Sequence, residues 1–325
     1  MSNAGRRIAI TGSSGYIGAG LVDALCSADG VEMVLATDIV PPPSPLPANA
    51  VFVHQDVSRP FRGLFSDHGI DTVVHLAYVM RPDRDRESAR RVNVGGTENL
   101  LAACAESDVN RLVYLSSTSV YGAHPDNPPL LTESSQTRPA PGFQYSVDKV
   151  LAEDLIQQFA ESTTEASALI LRCCPVVGPR ANNFVARAFL KPVLVAVRGA
   201  DPPMQLIHEN DLISSLVPCT LKTATGIFNV AGEGTIRWSE MAAALGRRLI
   251  TLPAALLYPA TQAAWALRLQ SDSPARGLDL IRYPWNASTT KIEKDLDFRP
   301  RHTSREAWEA YAEGRRSSKR EAATG

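Results

Sequence analysis

The sequence of 325 residues lacks both a long apolar run and an excess of charge of either sign. No stretch of about 18 apolar residues occurs, so a transmembrane helix is not expected, and the N-terminal segment lacks the apolar core and cleavage site of a signal peptide. The 33 Lys and Arg residues nearly balance the 34 Asp and Glu residues. Nucleic-acid binding usually requires a concentrated basic face, so the composition argues against that class. We therefore expect a cytoplasmic protein whose partners include neither a membrane nor a nucleic acid.

Cysteine is also scarce, and its spacing is irregular. The chain contains five cysteines, an odd number that does not suit a disulfide framework. No two of them have the spacing of metal ligands. We therefore expect reduced thiols, largely in the core, and no metal site, for the following residues: Cys26, Cys104, Cys173, Cys174 and Cys219.

Short β-branched runs alternate with segments of helical spacing along the first half of the chain. Continuous apolar strands that alternate with helices are typical of a parallel sheet covered on both faces. The helical segments begin at Ile17, Gly95 and Tyr145. The sequence therefore predicts an α/β fold, a Rossmann-type doubly wound sheet, with strands at 8–11, 33–38, 51–57, 72–77, 111–117, 168–177 and 227–231.

From about residue 179 the regular alternation ends, because prolines interrupt short apolar segments. We expect a nucleotide-binding domain at 1–178, with 207–232 returning to it. A smaller mixed lobe at 179–313 would cover whatever the sheet binds. Residues 314–325 are small, polar and basic, and we expect a disordered tail there.

A glycine-rich segment at 11–18 follows the first strand and opens the first helix. Glycine lets the backbone approach a pyrophosphate, and the helix N-terminus supplies N–H donors and a favourable dipole. A glycine loop alone is a weak signal, but its position between strand and helix strengthens it. We predict that this segment binds a dinucleotide, through Gly12, Gly15, Tyr16, Ile17 and Gly18.

Asp38 lies at the end of the second predicted strand. A carboxylate there can accept hydrogen bonds from both adenosine ribose hydroxyls and would repel a 2′-phosphate, which favours NAD over NADP. The alternative is an ordinary turn aspartate that caps the strand end. Asp56 and Val57, after the third strand, would lie near the adenine, with the same alternative.

Tyr145 and Lys149 are four residues apart on a predicted helix, so their side chains lie on one face. A neighbouring ammonium lowers the pKa of a phenol towards the range of acid/base catalysis. Ser117, at the end of the fifth strand, would form a hydrogen bond with the substrate oxygen on which Tyr145 acts. A Tyr and a Lys at this spacing are usually a solvated face, but together with Ser117 and the glycine loop they predict a catalytic site.

These motifs together resemble the extended short-chain dehydrogenase/reductase family, also called the NAD-dependent epimerase/dehydratase family. The matching segments follow the family's order over about the first 180 residues, with weaker matches at 207–212, 228–232 and 290–300. The matching segments in about the first 180 residues are 11–18, Asp38, Asp56-Val57, His75-Leu76-Ala77, 93–97, 116–122, 145–149 and Leu171-Arg172 with Gly178-Pro179.

The resemblance implies a role for each residue of the predicted site. Tyr145 would be the acid/base, Lys149 would lower its pKa and hold the nicotinamide ribose, and Ser117 would position the substrate oxygen. The helices that begin at Gly95 and Tyr145 would pair with their copies in a homodimer. Further residues would line NAD or tie the strand regions around it together: Leu76, Ala77, Tyr78 and Asn93.

The sequence departs from relatives that act on nucleotide sugars. Pro175 replaces an Asn that contacts the substrate diphosphate, and Met204 stands in a stretch where an Arg is common. Thr118 and Ser119 replace the Asp-Glu pair of dehydratases, which disfavours dehydration, and Ser119 also replaces the Cys of C3/C5 epimerases. His124 lies in a loop that could approach the substrate. We therefore place Thr118, His124 and Pro175 with Ser117 on the substrate side.

Simple hydride transfer remains the first hypothesis for function. The protein would be an NAD-dependent oxidoreductase acting on a small or moderately apolar secondary alcohol or ketone. One alternative is a nucleotide-sugar 4-epimerase with tightly bound NAD, and another is a non-catalytic NAD-binding regulator. The apolar segment 252–269 is either core or dimer packing, or a pocket for a less polar substrate.

Overall fold

The computed structural model describes residues 5–79, 85–163, 165–270 and 273–324. Its centre is a seven-stranded sheet in the order β11-β6-β5-β4-β1-β2-β3, and every neighbouring pair is parallel. This confirms the predicted fold class. The strands are β1 (Arg6–Thr11), β2 (Val31–Asp38), β3 (Ala50–His54), β4 (Thr72–His75), β5 (Arg111–Ser117), β6 (Ser167–Cys173) and β11 (Gly226–Val230).

Helices cover both faces of this sheet. On one face α1 (Gly18–Cys26) and α6 (Glu209–Leu221) contribute apolar side chains to the same core as β1 and β6. On the other face α3 (Arg86–Ala105) and α4 (Gln144–Ser162) pack over β4 and β5, beside the short α2 (Leu64–Asp67). The pairing of α3 and α4 with their copies in a homodimer stays a prediction.

Two elements differ from the sequence prediction. The helix expected from Gly95 begins at Arg86, where the Asp85 side chain caps it by accepting a hydrogen bond from the Ser88 N–H at 2.9 Å. The sixth predicted strand is two strands, because β6 ends at Cys173 and β7 (Val176–Val177) pairs instead with β10 (Ile207–His208).

The second part of the chain forms a smaller lobe from segments that leave the carboxyl ends of β6 and β11. Its core contains Phe189, Trp238, Trp308 and Tyr311. The remaining elements are α5 (Phe184–Ala188), β8 (Val193–Val197), β9 (Pro203–Met204), β12 (Ile236–Arg237), α7 (Trp238–Ala244), β13 (Arg248–Leu252), α8 (Ala254–Ala266), α9 (Thr290–Leu296) and α10 (Ser304–Thr324), with 3₁₀ helices at Thr118–Tyr121 and Ala275–Ile281.

Two C-terminal segments differ from the expected organisation. Residues 314–324 belong to α10, so the prediction of a disordered tail is wrong over that range. Ala307, Trp308 and Tyr311 anchor the helix in the core of the lobe, which supports its continuation. In addition, Ile292 and Leu296 of α9 pack with the core of the main sheet rather than with the lobe.

The strand order reverses beside β1, because β2 and β4 lie on its two sides and are followed in opposite directions by β3 and β5. In open α/β sheets, ligands bind in the crevice outside the carboxyl ends of the strands at such a point. Within the described residues, no helix has the length and the apolar character needed to cross a bilayer.

Candidate active site

The glycine-rich segment is a tight loop between β1 and α1. Gly12 has φ of 73°, and a Cβ on it would lie 2.7 Å from the backbone nitrogen of Ala77. A Cβ on Gly18 would collide with the carbonyl oxygen of Gly12. Both positions therefore require glycine, and the loop lies directly against the residues that follow β4.

Asp38 at the end of β2 is held against this loop. Its Oδ2 accepts a hydrogen bond from the Ser14 N–H at 3.0 Å, and its Oδ1 accepts one from the Val40 N–H at 3.1 Å. Both bonds orient the carboxylate as a strand-end cap, which was the alternative for this residue. The hydroxyl oxygen of Ser13, in contrast, is buried and has no hydrogen-bond partner within the described part of the chain. An orphaned polar atom in a tight glycine loop fits a site that binds phosphate oxygens.

Tyr16 differs from the expected cofactor contact. Its hydroxyl donates a hydrogen bond to Glu209 on α6, and burial together with this carboxylate raises the pKa of the phenol. Arg180 binds the other oxygen of Glu209 at 2.9 Å. The tyrosine therefore joins the glycine loop to α6 and to the lobe. Ile17, beside it, is buried in the core under the loop.

The residues after β3 and β4 lie on the two sides of the loop. Asp56 accepts hydrogen bonds from the N–H and the hydroxyl of Ser58 at 2.9 and 2.7 Å. Burial alone would raise its pKa, but these bonds keep it below the usual value. Val57 is buried against Gly96 of α3. Leu76 and Ala77 donate their N–H groups to the backbone oxygen and the hydroxyl of Thr11, at 3.1 and 3.3 Å.

Tyr145 and Ser117 meet at the carboxyl end of β5. The Ser117 hydroxyl caps the following 3₁₀ helix by accepting from the Ser119 N–H at 3.2 Å. Burial raises the pKa of Tyr145 to about 12, although the nearby Ser117 side chain acts in the opposite direction. The pKa thus moves opposite to the direction expected from the neighbouring ammonium.

Lys149 is buried beside Tyr145 and is oriented by three groups. Its Nζ donates to the carbonyl oxygen of Leu115 at 2.6 Å and lies over the rings of Tyr78 and Tyr114, at 3.7 and 4.5 Å from their centroids. Burial lowers the pKa of Lys149 to about 7. Tyr78 in turn donates its hydroxyl to the carbonyl oxygen of Tyr145 at 2.8 Å. The first turn of α4 is therefore fixed on two sides.

Asn93 and Asp148 form a polar link that the sequence reasoning recognised only in part. The Asn93 amide binds the backbone N–H and C=O of Val79 at 2.8 and 3.3 Å, and it donates to Asp148 Oδ2 at 3.3 Å. Gln144 donates to the other oxygen of Asp148 at 2.6 Å. Asp148 is fully buried and was missed, although its position inside the segment 145–149 was a signal.

A buried ion pair fixes α4 one turn beyond Lys149. Glu153 accepts hydrogen bonds from Arg172 of β6, the shortest at 2.6 Å, and from the hydroxyl of Ser116. The side chains of the pair are 2% and 4% exposed, so the charges are almost entirely removed from water. The sequence reasoning did not find this pair either.

The residues predicted on the substrate side lie in different surroundings. The Thr118 hydroxyl makes only a long contact, 3.5 Å, to the carbonyl oxygen of Cys173. His124 Nε2 lies 2.7 Å from the carbonyl oxygen of Arg138, so one ring nitrogen is engaged by the backbone. Pro175 is half-buried between β6 and β7, and its carbonyl oxygen accepts from the Ile207 N–H at 3.0 Å.

A cavity of about 520 Å³ opens beside His124 and is bounded by α8 and the second 3₁₀ helix. Ser117 and Tyr145 do not line it, so it is a neighbouring compartment and not the reaction centre itself. Charged and aromatic side chains together form its wall: Arg276, Arg282, Asp279, Tyr258 and Tyr283. Asp279 forms an ion pair with Arg276 at 3.7 Å and accepts a hydrogen bond from the Tyr258 hydroxyl at 2.5 Å.

Comparisons with known proteins agree with this geometry. The model of the NAD dependent epimerase/dehydratase family matches residues 8–211. An uncharacterized protein of Mycobacterium tuberculosis is 27% identical, over 95% of this chain and 84% of the relative. The 3 beta-hydroxysteroid dehydrogenase/Delta 5→4-isomerase of vaccinia virus is 28% identical, but over only 51% of this chain and 50% of the relative.

Among solved structures, MoeE5 in complex with UDP-glucuronic acid and NAD is 25% identical to this chain, with a TM-score of 0.73. The likeness covers 96% of this chain and 99% of that chain. MoeE5 has also been solved with UDP-glucose and NAD. The glycine loop, the orphaned Ser13 hydroxyl and the carboxylate after β2 fit the cofactor that the family description and these structures name.

Proposed function

Because this chain belongs to the NAD dependent epimerase/dehydratase family, and its cofactor is therefore NAD, we propose that it transfers a hydride between NAD(H) and a secondary alcohol or ketone. The observation that carries this proposal is the cluster of Ser117, Tyr145 and Lys149 at the carboxyl end of β5. A non-catalytic NAD-binding protein would need no such arrangement of proton-transfer groups.

In the proposed reduction, Ser117 donates a hydrogen bond to the substrate carbonyl oxygen, and Tyr145 gives that oxygen its phenolic proton. When bound, NADH supplies the hydride to the carbonyl carbon. In the reverse direction the phenolate of Tyr145 takes the hydroxyl proton. A phenol with a pKa of about 12 holds its proton at neutral pH. Tyr145 is therefore already protonated when a ketone binds, as the proposed reduction requires.

Lys149 has two proposed roles, to hold the nicotinamide ribose and to lend its charge to the acid/base tyrosine. Its pKa of about 7 means that a change in its surroundings can switch the ammonium on or off near neutral pH. Tyr78 and Asn93 position this part of α4, because each links it to the segment after β4.

The proposed cofactor site follows the sequence prediction except that Tyr16 and Ile17 do not contact NAD directly. Gly12, Gly15 and Gly18 provide the backbone surface for the pyrophosphate, and Asp38 faces the adenosine ribose. Ile17 and Tyr16 act indirectly, since one is buried beneath the loop and the hydroxyl of the other is bound to Glu209. The remaining predicted residues line the two sides of the loop: Asp56, Val57, Leu76 and Ala77.

On the substrate side we propose that Thr118 and Pro175 lie near the reacting carbon, while His124 borders the neighbouring cavity, which receives the rest of the substrate. Pro175 has no polar side-chain atom, and one ring nitrogen of His124 already contacts the backbone. These residues therefore offer few polar contacts to a substrate, which suits a small or moderately apolar molecule.

A nucleotide-sugar 4-epimerase is the second candidate. It is favoured by the UDP-sugar complexes of MoeE5 and by Arg276 and Arg282 in the cavity wall.

The test is a panel of ketones and secondary alcohols assayed with NADH and NAD+, with the Tyr145→Phe variant alongside. We expect this variant to lose turnover by roughly 10²–10⁴-fold and to keep its affinity for NAD, because only the proton-transfer group is removed. The matched control is Tyr311→Phe, which removes a buried hydroxyl bonded to Ala186 in the lobe. Turnover that survives in Tyr145→Phe would show that another group moves the proton.

A further inference from the structure

Helix α8 presents an unusually apolar surface to solvent. It contains no charged residue, and Leu257 is its only buried residue. Leu256 on this helix and Leu267 and Leu269 just after it are 63%, 69% and 76% exposed. These are the three most exposed of the large apolar side chains that the structure describes. Exposed apolar patches of this kind mark interaction sites, so we expect a binding partner for this helix.

The apolar surface continues from α8 onto the neighbouring strands. Parallel strands β8 and β13 pair Val195 with Ile250 and Val197 with Leu252, so these side chains share one face. Val197 is buried with Leu257 of α8, whereas Val195 and Ile250 are 38% and 37% exposed. The helix therefore covers one end of the strand face and leaves the other end open beside it.

The two chain segments that form this surface carry charges of one sign only. Residues 186–200 and 244–270 contain six Lys or Arg residues and no Asp or Glu. Arg198, Arg248 and Arg268 are exposed among them. The next acidic residue in the first stretch, Asp201, binds the N–H and hydroxyl of Ser239 at 3.0 and 2.6 Å. The next acidic residue after the second stretch, Asp272, lies outside the described residues.

We propose that this surface binds the face of a membrane that contains anionic lipids. We call it the docking surface, and its residues are Val193, Val195, Ile250, Leu256, Leu267 and Leu269, with Arg198, Arg248 and Arg268 at its edge. Apolar side chains enter the boundary between headgroups and acyl chains, while basic residues attract the anionic headgroups. With 13 residues, α8 is too short to span a bilayer and would lie in the interface.

The charges favour a membrane over a second copy of the chain. A two-fold interface places a patch against itself, so the arginines at its edge would meet a second copy of segments that carry no acidic residue. The opposite side of α8 has a different role, since Tyr258 and Gln262 line the cavity beside His124. Docking would thus place this cavity next to the membrane. The proposal does not depend on which reaction the protein catalyses.

The experiment is co-sedimentation of the full chain with phosphatidylcholine vesicles, with and without phosphatidylglycerol. We expect binding to the anionic vesicles that weakens as salt is added, because the contacts of the arginines with the headgroups are screened. The double variant Leu267→Gln/Leu269→Gln should bind roughly tenfold more weakly or worse, since two apolar anchors are lost. Both side chains are exposed, so the variant should keep the fold, which its circular dichroism and NAD affinity would verify.

The matched control is Leu130→Gln, which removes a leucine that is 51% exposed elsewhere on the surface. It should bind vesicles as the wild type does. Absence of binding to anionic vesicles overturns the proposal, as does equal binding by the double variant. Self-association of the wild type that the double variant abolishes, without vesicle binding, would instead assign the surface to a second copy.

Discussion

The phenol of Tyr145 keeps its proton at neutral pH, because burial raises its pKa to about 12. Lys149 responds to the same burial in the opposite sense, since its charged form is the protonated one, and its pKa falls to about 7. At pH 7 the phenol is thus protonated and neutral, whereas the Lys149 amine is about half protonated. This pair determines how the proposed reaction should depend on pH.

We expect alcohol oxidation to accelerate with rising pH and ketone reduction to lack that dependence. Oxidation requires the phenolate of Tyr145, whose fraction increases up to tenfold per pH unit below its pKa. Reduction uses the protonated phenol, which predominates over the whole neutral range. Steady-state rates in both directions from about pH 6 to about pH 9 would measure this. An oxidation rate that does not rise between about pH 6 and about pH 7, where much of Lys149 is still charged, would contradict the assignment of Tyr145.

His75 provides a second prediction, for stability in acid. It is buried between the hydroxyls of Thr11 and Thr97, at 2.7 and 3.2 Å, and burial and the charge of Lys149 lower its pKa to about 3. Between about pH 6.5 and about pH 3 the unfolded chain binds the additional proton, so stability falls as pH falls, by on the order of 4 kcal/mol.

The measurement is urea unfolding of the wild type and of His75→Gln at about pH 7 and about pH 5. The substitution removes the titrating ring, so we expect a smaller loss of unfolding free energy on acidification in the variant. Carboxylates contribute equally to both proteins, and the difference isolates His75. If the unfolding free energies of the two proteins depended on pH in the same way, the pKa of His75 would not be lowered in the folded protein.

For individual residues of the site, the sequence predicted contacts between near neighbours in the chain and missed contacts between distant residues. Tyr145 and Lys149 could be paired because they are four residues apart on one helix. The link from Asn93 to Asp148 joins residues 55 positions apart, and no local pattern announces it. The pKa of Tyr145 likewise depends on burial by the folded chain, which spacing alone does not reveal.

Helix α4 carries both Tyr145 and Lys149, and its position on the sheet depends on the buried pair of Glu153 and Arg172. We expect Glu153→Gln to lower the free energy of unfolding by roughly 3–5 kcal/mol, because Arg172 would keep a buried charge without its partner. Chemical denaturation would measure the loss. The control is Glu240→Gln, which breaks an exposed ion pair with Arg305 and should change stability little. Equal effects of the two substitutions would show that the buried pair does not stabilise α4.

Elements were predictable where their pattern is local and uniform. The seven strands of the main sheet were found because buried parallel strands are continuously apolar. The start of α3 was missed because its first turns, from Arg86, are rich in charged residues and contain few apolar ones. The break after β6 depends on the pairing of Val176 with Ile207, a tertiary choice that the apolar run did not show. The continuation of α10 was missed for the same reason as the start of α3.

The whole molecule combines a sheet that binds NAD with a smaller lobe formed by segments that leave the carboxyl ends of β6 and β11. The lobe is tied to the cofactor loop directly, because Glu209 of α6 binds both Tyr16 and Arg180. Arg180 lies in the segment that leaves β6 for the lobe. The rate at which the cofactor exchanges distinguishes the two proposed reactions.

An epimerase recycles NAD in place, whereas a dehydrogenase must exchange it at each turnover. For the favoured oxidoreductase we expect freshly purified protein to release little NAD(H) on denaturation and to bind added NAD, with the thermal midpoint rising as the site fills. Asp38→Asn should narrow the preference for NAD over NADP, because the carboxylate that repels a 2′-phosphate is gone. Quantifying NAD(H) and NADP(H) released per chain is the measurement. Near-stoichiometric NAD would favour the 4-epimerase, and retained NADP would contradict the role of Asp38.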